Sequence, residues 1–358
     1  MGSVKDLKVI SDPTENEAGV GAWDFSCRYS IWDLGEMPDH IPKKGPALCM
    51  MAAWNFEQLE KLGIKTHYKG VVDGAGNLRK TTDLAEPSNT MVVQLARVFK
   101  PRYEDKKYDY SWFTEGRGTH NNYVVPLECI YRLGAPRGSS LFKTIKEWEA
   151  EGRHDDVKKL LANYGLTEKP KPGDLFPITG YDFTTKFEAG DRKVTDEEAF
   201  TISGLSKEQF QELTDVRARA VGFTSSHAKS VGMVEYDGKH EYVFRNGILV
   251  ADVLGTLDEC REFLNNDQVS KEFLRQYHEK HQPELYADVQ RAKKEAKAKG
   301  IHDWKSLLTV QPKHLEPRLV ELVGEMYQSA ADRWTGLNLF NVRPLEQVMD
   351  ELRPYYPN

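Results

Sequence analysis

The stretch that decides the fold is DGKHEYVFRNGILVADVLGTLDECR, residues 237–261. Two apolar runs flank the Asn246-Gly247 pair, a dipeptide typical of a tight turn between antiparallel strands. In a strand, residues two apart share a face, so Asp237, Lys239 and Glu241 project to one side. Asp252 then lies on the returning strand. The stretch therefore predicts a β-hairpin on which three carboxylates and an ammonium group converge.

Two interpretations of this hairpin stay open from the spacing alone. Mg²⁺ prefers one or two carboxylates together with phosphate oxygens and water, and a lysine can neutralise a phosphoryl group during its transfer. The charges therefore fit a metal and phosphate site. They also fit the solvated outer face of a structural hairpin, because ion pairs arise on exposed sheet faces as well.

Composition narrows the class of protein. The chain has 358 residues, is 39% hydrophobic and carries a formal net charge of −6. A nucleic-acid coat would need a basic face, so we expect no nucleic-acid partner. The sequence has neither an amino-terminal signal peptide nor a membrane span, which predicts a cytoplasmic protein with no membrane partner. We expect the scattered cysteines to be buried thiols: Cys27, Cys49, Cys129 and Cys260.

The pattern along the chain predicts an α+β fold in three regions. Residues 1–125 alternate β-like runs with turns around one helix at 45–63, which predicts an antiparallel-sheet lobe. Residues 126–262 form a central α+β lobe that contains the hairpin, with a predicted loop at 178–200. Residues 263–358 are mostly amphipathic helix.

Two further motifs invite a chemical interpretation. Gly19 and Gly21 predict a turn between amino-terminal strands that could cover a nucleotide's phosphates, although loose glycine patterns occur often without function. His278 and His281 are three residues apart on a predicted helix, whereas the zinc-protease motif places them four apart. A solvated helix face is the better interpretation of that pair.

Several motifs together resemble one family. DGKHE is similar to a D-x-K-x-E signature, TLDECR to [ST]-P-D-x-S-R, and VVPLECIYR to a segment with a Pro, a Glu and an Arg. YSIWD, IPKKG and FTTKFEAGD match further segments in the same order. The chain thereby resembles the SAICAR (phosphoribosylaminoimidazole-succinocarboxamide) synthetases, in their extended archaeal-type form. Leu133, Leu257 and Cys260 depart from the pattern. An amino-terminal G-K-x-[KR] phosphate grip is not apparent, since Lys5 and Lys8 lie too early.

The resemblance implies a two-lobed, kinase-like and ATP-grasp-like fold with a helical carboxyl-terminal region. It implies an ATP-dependent ligase of purine biosynthesis. Such an enzyme joins L-aspartate to the carboxylate of carboxyaminoimidazole ribonucleotide (CAIR) through an acyl phosphate, and Mg²⁺ is the implied cofactor. ATP would lie between the amino-terminal sheet and the central lobe. Its implied contacts are Pro126, Glu128, Gly19 and Gly21.

The resemblance also implies residue roles. Glu241 and Asp252 would hold Mg²⁺, Lys239 would neutralise the transferring phosphoryl group, and Asp237 would orient Lys239 or a substrate group. The implied substrate-binding residues are Arg132, Ser139, Asp258, Arg261, Lys186, Asp191, Ser30, Asp33 and Lys44.

Two alternative functions stay open at this point. One is a paralogous amide ligase that acts on a different carboxylate in nucleoside-antibiotic biosynthesis, because the three departures could alter the substrate grip. The other is a kinase-like phosphotransferase, which would need a catalytic base that the sequence does not reveal. The expected partners are small molecules, and the sequence is compatible with a homo-oligomer.

Overall fold

The computed structural model describes residues 4–104, 107–188, 190–301 and 303–356. Its strands are, in chain order, β1 Lys5–Ser11, β2 Gly19–Phe25, β3 Tyr68–Val72, β4 Leu78–Arg79, β5 Thr90–Leu95, β6 Arg102–Glu104, β7 Lys107–Asp109, β8 Tyr123–Ala135, β9 Asp174–Thr185, β10 Lys193–Val194, β11 Val234–Phe244, β12 Ile248–Ala251, β13 Cys260–Leu264 and β14 Asp267–Gln268. Its α-helices are α1 Lys44–Lys61, α2 Ser111–Glu115, α3 Ser140–Ala150, α4 His154–Asn163, α5 Asp196–Ser203, α6 Lys207–Ser230, α7 Glu272–His281, α8 Pro283–Lys299, α9 Pro317–Thr335 and α10 Leu345–Leu352. None of the helices in these ranges has both the length and the apolar character needed to cross a membrane.

Two antiparallel sheets form the framework. One has the strand order β1-β2-β5-β3-β4, and the other has the order β10-β9-β8-β11-β13-β14, with β12 paired to β11. Isolated bridges between Thr66 and Val250 and between Arg97 and Tyr123 connect the sheets. The two sheets therefore meet along one side, which leaves room for a cavity between them.

The predicted hairpin is confirmed as β11 and β12. Glu241 pairs with Ala251 and Phe244 pairs with Ile248. The turn places Asn246 at φ 49° and Gly247 at φ 119°, where asparagine and glycine are tolerated best. β11 also pairs with β8 and with β13, so the charged strand lies in the interior of the sheet rather than at its edge.

Helix α1 is also confirmed. The positions that predicted it are all buried: Leu48, Met51, Ala52, Phe56 and Leu59. A single buried cluster joins this helix to side chains such as Phe183 of β9 and Trp334 of α9. The predicted boundaries at 125/126 and 262/263 fall inside β8 and β13, because the apolar runs continue across them. The division into three regions stays a prediction.

The loop predicted at 178–200 is wrong over its first part. Residues up to Thr185 belong to β9, which pairs with β8 from Leu127 opposite Thr185 to Arg132 opposite Gly180. Phe183 and Thr185 are buried on that strand. Pairing with a neighbouring strand overrides the polar composition that predicted a loop. Residues 186–188 and 190–192 lie outside strands and helices, whereas the last part of the predicted loop belongs to β10 and α5.

The turn predicted at Gly19 and Gly21 is also wrong, because both residues lie inside β2. Gly21 pairs with Val9 and Val93. A Cβ atom at Gly21 would lie 2.9 Å from side-chain carbons of Leu7 and Leu95. The glycine therefore allows close packing of three strands, and its contact with nucleotide stays a prediction.

The solvated face predicted for His278 is wrong as well. His278 is fully buried, and its Nε2 lies 3.0 Å from the hydroxyl of Tyr29. Helix α7 packs against the loop after β2, which covers this face of the helix. His281, on the same helix, is exposed.

Candidate active site

An apolar cavity of about 750 Å³ opens between the amino-terminal sheet and the β11–β12 hairpin. Apolar side chains from both sheets form most of its lining, including Leu7, Trp23, Leu95, Val124 and Val243. Seven charged residues complete the lining: Lys5, Asp12, Lys100, Lys186, Glu188, Glu241 and Asp252. Among them Lys5 pairs with Asp252 and Lys186 with Glu241. A planar heterocycle with a charged tail fits such a lining, because apolar surface and ionic groups are both present.

A second cavity of about 470 Å³ lies beside the first and is mainly charged. Its cationic side chains are Arg132, Lys239, Arg261, Lys271 and Arg275. Its acidic side chains are Asp33, Glu128, Asp191, Asp237, Asp258, Glu259 and Glu272. The cavity can therefore bind a ligand that carries both anionic and polar groups.

The two cavities meet at Lys239 and Glu241. Lys239 lines the charged cavity and Glu241 lines the apolar one, and their side chains lie 3.3 Å apart on the same face of β11. The Lys239 ammonium also lies 2.7 Å from Glu128 and 3.6 Å from Glu259. Of the hairpin carboxylates that the spacing indicated, Glu241 pairs with Lys239 in the described structure, and Asp237 and Asp252 do not. The lysine is thus held at the junction by carboxylates from two strands, β8 and β11, and from the loop before β13.

Glu241 and Asp252 lie together with two lysines. Lys186 pairs with Glu241, and Lys5 pairs with Asp252. Burial raises the pKa of Glu241, and the negative charge of Asp252 raises it further. Burial also acts to raise the pKa of Asp252, but Lys5 and Lys186 outweigh it and hold that pKa well below its usual range. Asp252 is therefore ionised, as a metal ligand must be.

Lys239 stays charged although it is half-buried. Burial alone would lower its pKa, but the carboxylates of Glu259, Glu241 and Glu128 raise it well above the ordinary value. A permanently protonated ammonium at the meeting point of the cavities is suited to stabilising negative charge there.

Lys5 is a site residue that the sequence analysis missed. Strand β1 pairs with β2, and this brings the Lys5 ammonium to Asp252 and to 4.2 Å from the ring of Trp23. Lys5 stands earlier in the chain than the G-K-x-[KR] motif of the family pattern, and only the pairing of β1 with β2 brings it to the site. The available signal was Leu7 and Val9, two apolar residues at strand spacing that both line the apolar cavity.

Asp237 holds two arginines in the charged cavity. Nε of Arg261 lies 2.7 Å from the Asp237 carboxylate, and a second nitrogen of Arg261 contacts its other oxygen. Arg132 lies 3.8 Å from the same carboxylate and donates to the hydroxyl of Ser140 at 3.2 Å. The structure thus brings Arg132 and Arg261 together, as expected, and assigns Asp237 to the arginines rather than to Lys239.

Asp258 and Lys44 form a buried ion pair of 2.6 Å beside this cavity. The hydroxyl of Tyr327 donates to the second oxygen of Asp258 at 2.8 Å. Lys44 is fully buried at the start of α1, where its ion pair fixes the position of the Asp258 carboxylate. Lys44 and Asp258 are therefore brought together although 214 residues separate them.

Ser139 and Ser140 have different surroundings. Ser139 is buried, and its hydroxyl accepts a hydrogen bond of 3.4 Å from the backbone of Leu141 as the N-cap of α3. Ser140 and Gly138 line the charged cavity. The sequence analysis missed Ser140, as well as Lys271 and Arg275, because nothing in a lone helical segment indicates which residues face a distant strand.

The other predicted residues lie at different distances from the junction. Lys186 is part of it, whereas Asp191 and Asp33 line the charged cavity, where Asp33 pairs with Lys293 at 2.9 Å. Ser30 is half-buried in the loop after β2 and is not among the residues that line the two cavities. Pro126 is buried inside β8, where its carbonyl accepts from the backbone of Lys186 at 3.1 Å. Glu128 contacts Lys239 and lines the charged cavity, and its implied contact with ATP stays a prediction.

Comparison with known proteins decides the family. The model of the SAICAR synthetase family matches residues 16–292. The chain belongs to the SAICAR synthetase family. An Archaeoglobus fulgidus protein provisionally named a phosphoribosylaminoimidazole-succinocarboxamide synthase is 38% identical over 355 residues, which cover 99% of each chain. The predicted resemblance and the predicted ligase class are thereby confirmed.

Solved structures confirm the fold of a SAICAR synthetase. The SAICAR synthase of Saccharomyces cerevisiae, complexed with SAICAR, is 17% identical, with a TM-score of 0.58 and coverage of 94% of this chain and 93% of that one. A type 2 SAICAR synthetase in complex with ADP is 18% identical, with a TM-score of 0.51 and coverage of 77% of this chain and 88% of that one. At this identity the likeness concerns the α+β fold alone.

The departures from the family pattern lie at buried or half-buried positions. Leu133 packs against the buried cluster of Tyr131, Val221 and Cys260, and Leu257 is buried in the main core. Cys260 is 3% exposed and also borders the charged cavity, next to Arg261. Leu133 and Leu257 therefore affect packing, whereas Cys260 replaces the usual serine at the border of the charged cavity.

Proposed function

We propose that this site joins L-aspartate to the carboxylate of CAIR with the hydrolysis of ATP to ADP and phosphate, which gives SAICAR in purine biosynthesis. The observation that carries the proposal is the junction at Lys239 and Glu241, where an apolar cavity meets a charged one. Phosphoryl transfer between two different ligands needs such a meeting point, because the reacting groups must lie in line.

The apolar cavity is the site proposed for ATP. Its side chains from β1, β2 and β5 offer surfaces for the adenine ring, and the lysines at its end would face the phosphates. Lys5 and Lys186 are the lysines in question, since both lie within ion-pair contact of the acidic pair. Lys5 and Lys186 would thus contact the ATP phosphates in place of the G-K-x-[KR] motif, which is not apparent in the sequence.

The acidic pair fits Mg²⁺. Carboxylate oxygens are the ligands that Mg²⁺ prefers, and Glu241 and Asp252 present them at the end of the nucleotide cavity. When bound there, Mg²⁺ neutralises charge on the phosphate oxygens. Glu241 and Asp252 would hold it, and Lys5 and Lys186 balance the two carboxylates in the free enzyme.

The charged cavity is the site proposed for the ribonucleotide. Arg132 and Arg261 present guanidinium groups that suit a phosphate, and Asp237 fixes their orientation. Asp258, held by Lys44 and Tyr327, can accept a hydrogen bond from a ribose hydroxyl or an amine. Lys186 and Asp191, which both lie between β9 and β10, are the residues proposed to contact the aspartate substrate.

The reaction has two steps. A CAIR carboxylate oxygen attacks the terminal phosphorus of ATP, the bond from phosphorus to the bridging oxygen breaks, and ADP leaves with an acyl phosphate formed. The aspartate amine then attacks the acyl carbon, phosphate leaves with the carbon–oxygen electron pair, and the amine's surplus proton passes to solvent. Lys239 stabilises negative charge in the first step from its position at the junction.

The test is an omission experiment. Purified protein with ATP, Mg²⁺, CAIR and L-aspartate should release ADP and form SAICAR, and leaving out either CAIR or L-aspartate should abolish steady-state ADP release. Equal ADP release without L-aspartate would instead identify a phosphotransferase or a simple ATPase. A cytoplasmic location and a homo-oligomeric assembly stay predictions.

A further inference from the structure

A group of acidic and thiol side chains lies behind the seven-stranded sheet, on the face opposite the charged cavity. We call Glu235, Cys260 and Glu262 the rear cluster. Cys260 and Glu262 flank Arg261 on β13, which alternates their side chains with that of Arg261. The Cys260 sulfur lies 3.2 Å from the hydroxyl of Tyr131 behind the sheet, and the residue also borders the charged cavity. An irregularity between Glu235 and Asp237 turns Glu235 to the rear face as well. The proposed reaction uses none of these three side chains.

The geometry of the rear cluster is that of a set of metal ligands. A carboxylate oxygen of each glutamate and the Cys260 sulfur all lie within 4.8 Å of one another, and all three residues are buried. Gly238 makes this approach feasible, because a Cβ atom there would lie 2.4 Å from the Tyr131 hydroxyl and 2.9 Å from the Cys260 sulfur. Tyr131 contacts both Glu235 and, at 3.2 Å, Cys260.

The second observation is the state of Glu262. It is fully buried, and neither of its carboxylate oxygens has a hydrogen-bond partner. Glu235 stands directly opposite it in the pairing of β11 with β13, where like charges destabilise a sheet. Within the described chain no lysine, arginine or histidine forms an ion pair with either glutamate. Such a carboxylate needs either a cation or a proton.

We propose that Glu235, Cys260 and Glu262 bind a divalent transition-metal ion, for which zinc has the best-matched chemistry. A thiolate with two carboxylates suits zinc and disfavours magnesium and calcium, which take oxygen ligands alone. Two zinc–ligand bonds of about 2.0 to 2.3 Å span up to about 4.6 Å, so the donors already lie near coordination distance. The Tyr131 hydroxyl or a water completes the set. The thiol proton and the protons held by the carboxyl pair pass to solvent on binding.

A bound ion would tie β11 to β13. These are the strands that carry Lys239 and Arg261 on their other face, so the metal would fix the spacing of the two cavities from behind. Without a metal, the pair must hold protons: burial raises the pKa of Glu235 to about 7 and raises that of Glu262 well above its usual range. The metal-bound cluster and the protonated carboxyl pair differ in metal content and in absorption spectrum, so an experiment can distinguish them.

The experiment uses Co²⁺ as a spectroscopic substitute for zinc in metal-depleted full-length protein. We expect about one Co²⁺ per chain, with the near-ultraviolet absorption of a cobalt–thiolate bond, that excess Mg²⁺ does not displace. Cys260→Ser should abolish the band and is expected to fold, since serine is the usual residue of the family pattern. Glu262→Gln should weaken binding at least about tenfold, the lower scale for a disturbed metal site.

Two control variants separate this site from other ligands. Cys129→Ser removes a buried thiol from the neighbouring strand β8 and should keep the band. Asp252→Asn removes a carboxylate from the proposed magnesium site and should also keep the cobalt–thiolate band. The rear metal site can therefore be disproved without disproving the proposed ligase activity, and the reverse also holds.

Melting temperature gives the deciding second readout. Zn²⁺ should raise it for the wild type and leave it unchanged for Cys260→Ser. Absence of the thiolate band, together with a higher melting temperature for Glu262→Gln, would overturn the proposal and identify the rear cluster as a protonated carboxyl pair. A band that persists in Cys260→Ser would overturn it as well.

Discussion

Glu241 gathers charges that come from distant parts of the sequence. Lys186 reaches it from the end of β9, Lys239 from its own strand, and Asp252 raises its pKa from the end of β12. The side chain is 7% exposed, so these interactions act in a poorly solvated environment. In such an environment the loss of one charge has a large electrostatic effect.

The first prediction concerns Glu241→Gln. The amide is nearly isosteric and keeps the side chain's shape, but it removes a negative ligand for Mg²⁺. We expect the turnover number to fall by at least about 10²-fold, the scale for one lost electrostatic contact, with little change in the melting temperature. Steady-state kinetics at saturating substrates and a thermal melt measure both.

Glu212→Gln is the matched control for that variant. Glu212 accepts a hydrogen bond of 3.1 Å from the backbone of Ile248 at the turn of the same hairpin, outside both cavities. It should leave turnover unchanged. Early melting of Glu241→Gln with normal turnover would mean that the charged hairpin is structural.

The second prediction concerns Arg261→Met, which keeps much of the apolar stem and removes the guanidinium. Loss of a charge-assisted contact with the ribonucleotide should weaken its binding by roughly 10- to 150-fold, or about 1.5 to 3 kcal/mol. The KM values for ATP and aspartate should change much less. Separate titrations of each substrate measure the difference.

Arg353→Met controls for the loss of an arginine. Arg353 is exposed and pairs with Asp267 at 3.0 Å, away from the two cavities. Ribonucleotide affinity should be that of the wild type. If Arg261→Met also binds the ribonucleotide normally, the phosphate contact has been assigned to the wrong arginine.

Helix α6 shows how one element supports the site without touching substrate. It packs behind the seven-stranded sheet, where Val221 contacts the cluster of Tyr131 and Cys260. Its first turn is closed by a capping box: Ser206 accepts from the backbone of Gln209 at 3.3 Å, and the Gln209 side chain accepts from the backbone of Ser206 at 2.8 Å. The box satisfies backbone donors that a helix start otherwise leaves free.

The third prediction is that Ser206→Ala lowers the free energy of unfolding by about 1 kcal/mol, the usual value of an N-cap hydroxyl, and leaves the kinetic constants unchanged. Urea denaturation measures it. Ser225→Ala is the control, because that hydroxyl donates to carbonyls within the same helix, those of Val221 at 2.7 Å and Gly222 at 3.4 Å, and caps no helix end. A loss as large for Ser225→Ala would show that the cap is not the cause.

At the scale of the whole molecule, one core joins the sheets to the carboxyl-terminal helices, and it buries polar side chains with them. His278 is such a residue. Burial lowers its pKa from 6.5 to about 4. The folded protein therefore keeps this imidazole neutral at a pH where the unfolded chain protonates it.

The fourth prediction follows from that difference. Because the unfolded state binds the extra proton, His278 should cost stability as the pH falls from about 6.5 towards about 4, and about 2 kcal/mol of it should be lost between pH 7 and pH 5. Urea denaturation of the wild type and His278→Gln at both pH values measures it, since the glutamine variant should lose less. His281→Gln, on the exposed side of the same helix, should behave as the wild type. Equal pH slopes for all three proteins would contradict the prediction.

The sequence by itself determined the features that depend on neighbours along the chain. Residue alternation and the Asn246-Gly247 turn predict the hairpin. Apolar residues at helical spacing predict α1, and the order of the motifs predicts the family. Hairpin pairing is local, so Glu241 and Asp252 could be placed together before any fold was known. The family's charged residues could be named for the same reason.

Only the tertiary structure decided which distant groups meet. It brought Lys5 to Asp252, Lys44 to Asp258 and Glu128 to Lys239, and it turned a predicted loop into β9. These contacts depend on strand order and on how the sheets pack. The residues next to each side chain in the sequence determine neither. Burial has the same origin, because it is set by what covers a side chain: the chemistry of His278 and of Glu262 was fixed by the elements packed over them and not by the segments in which they lie.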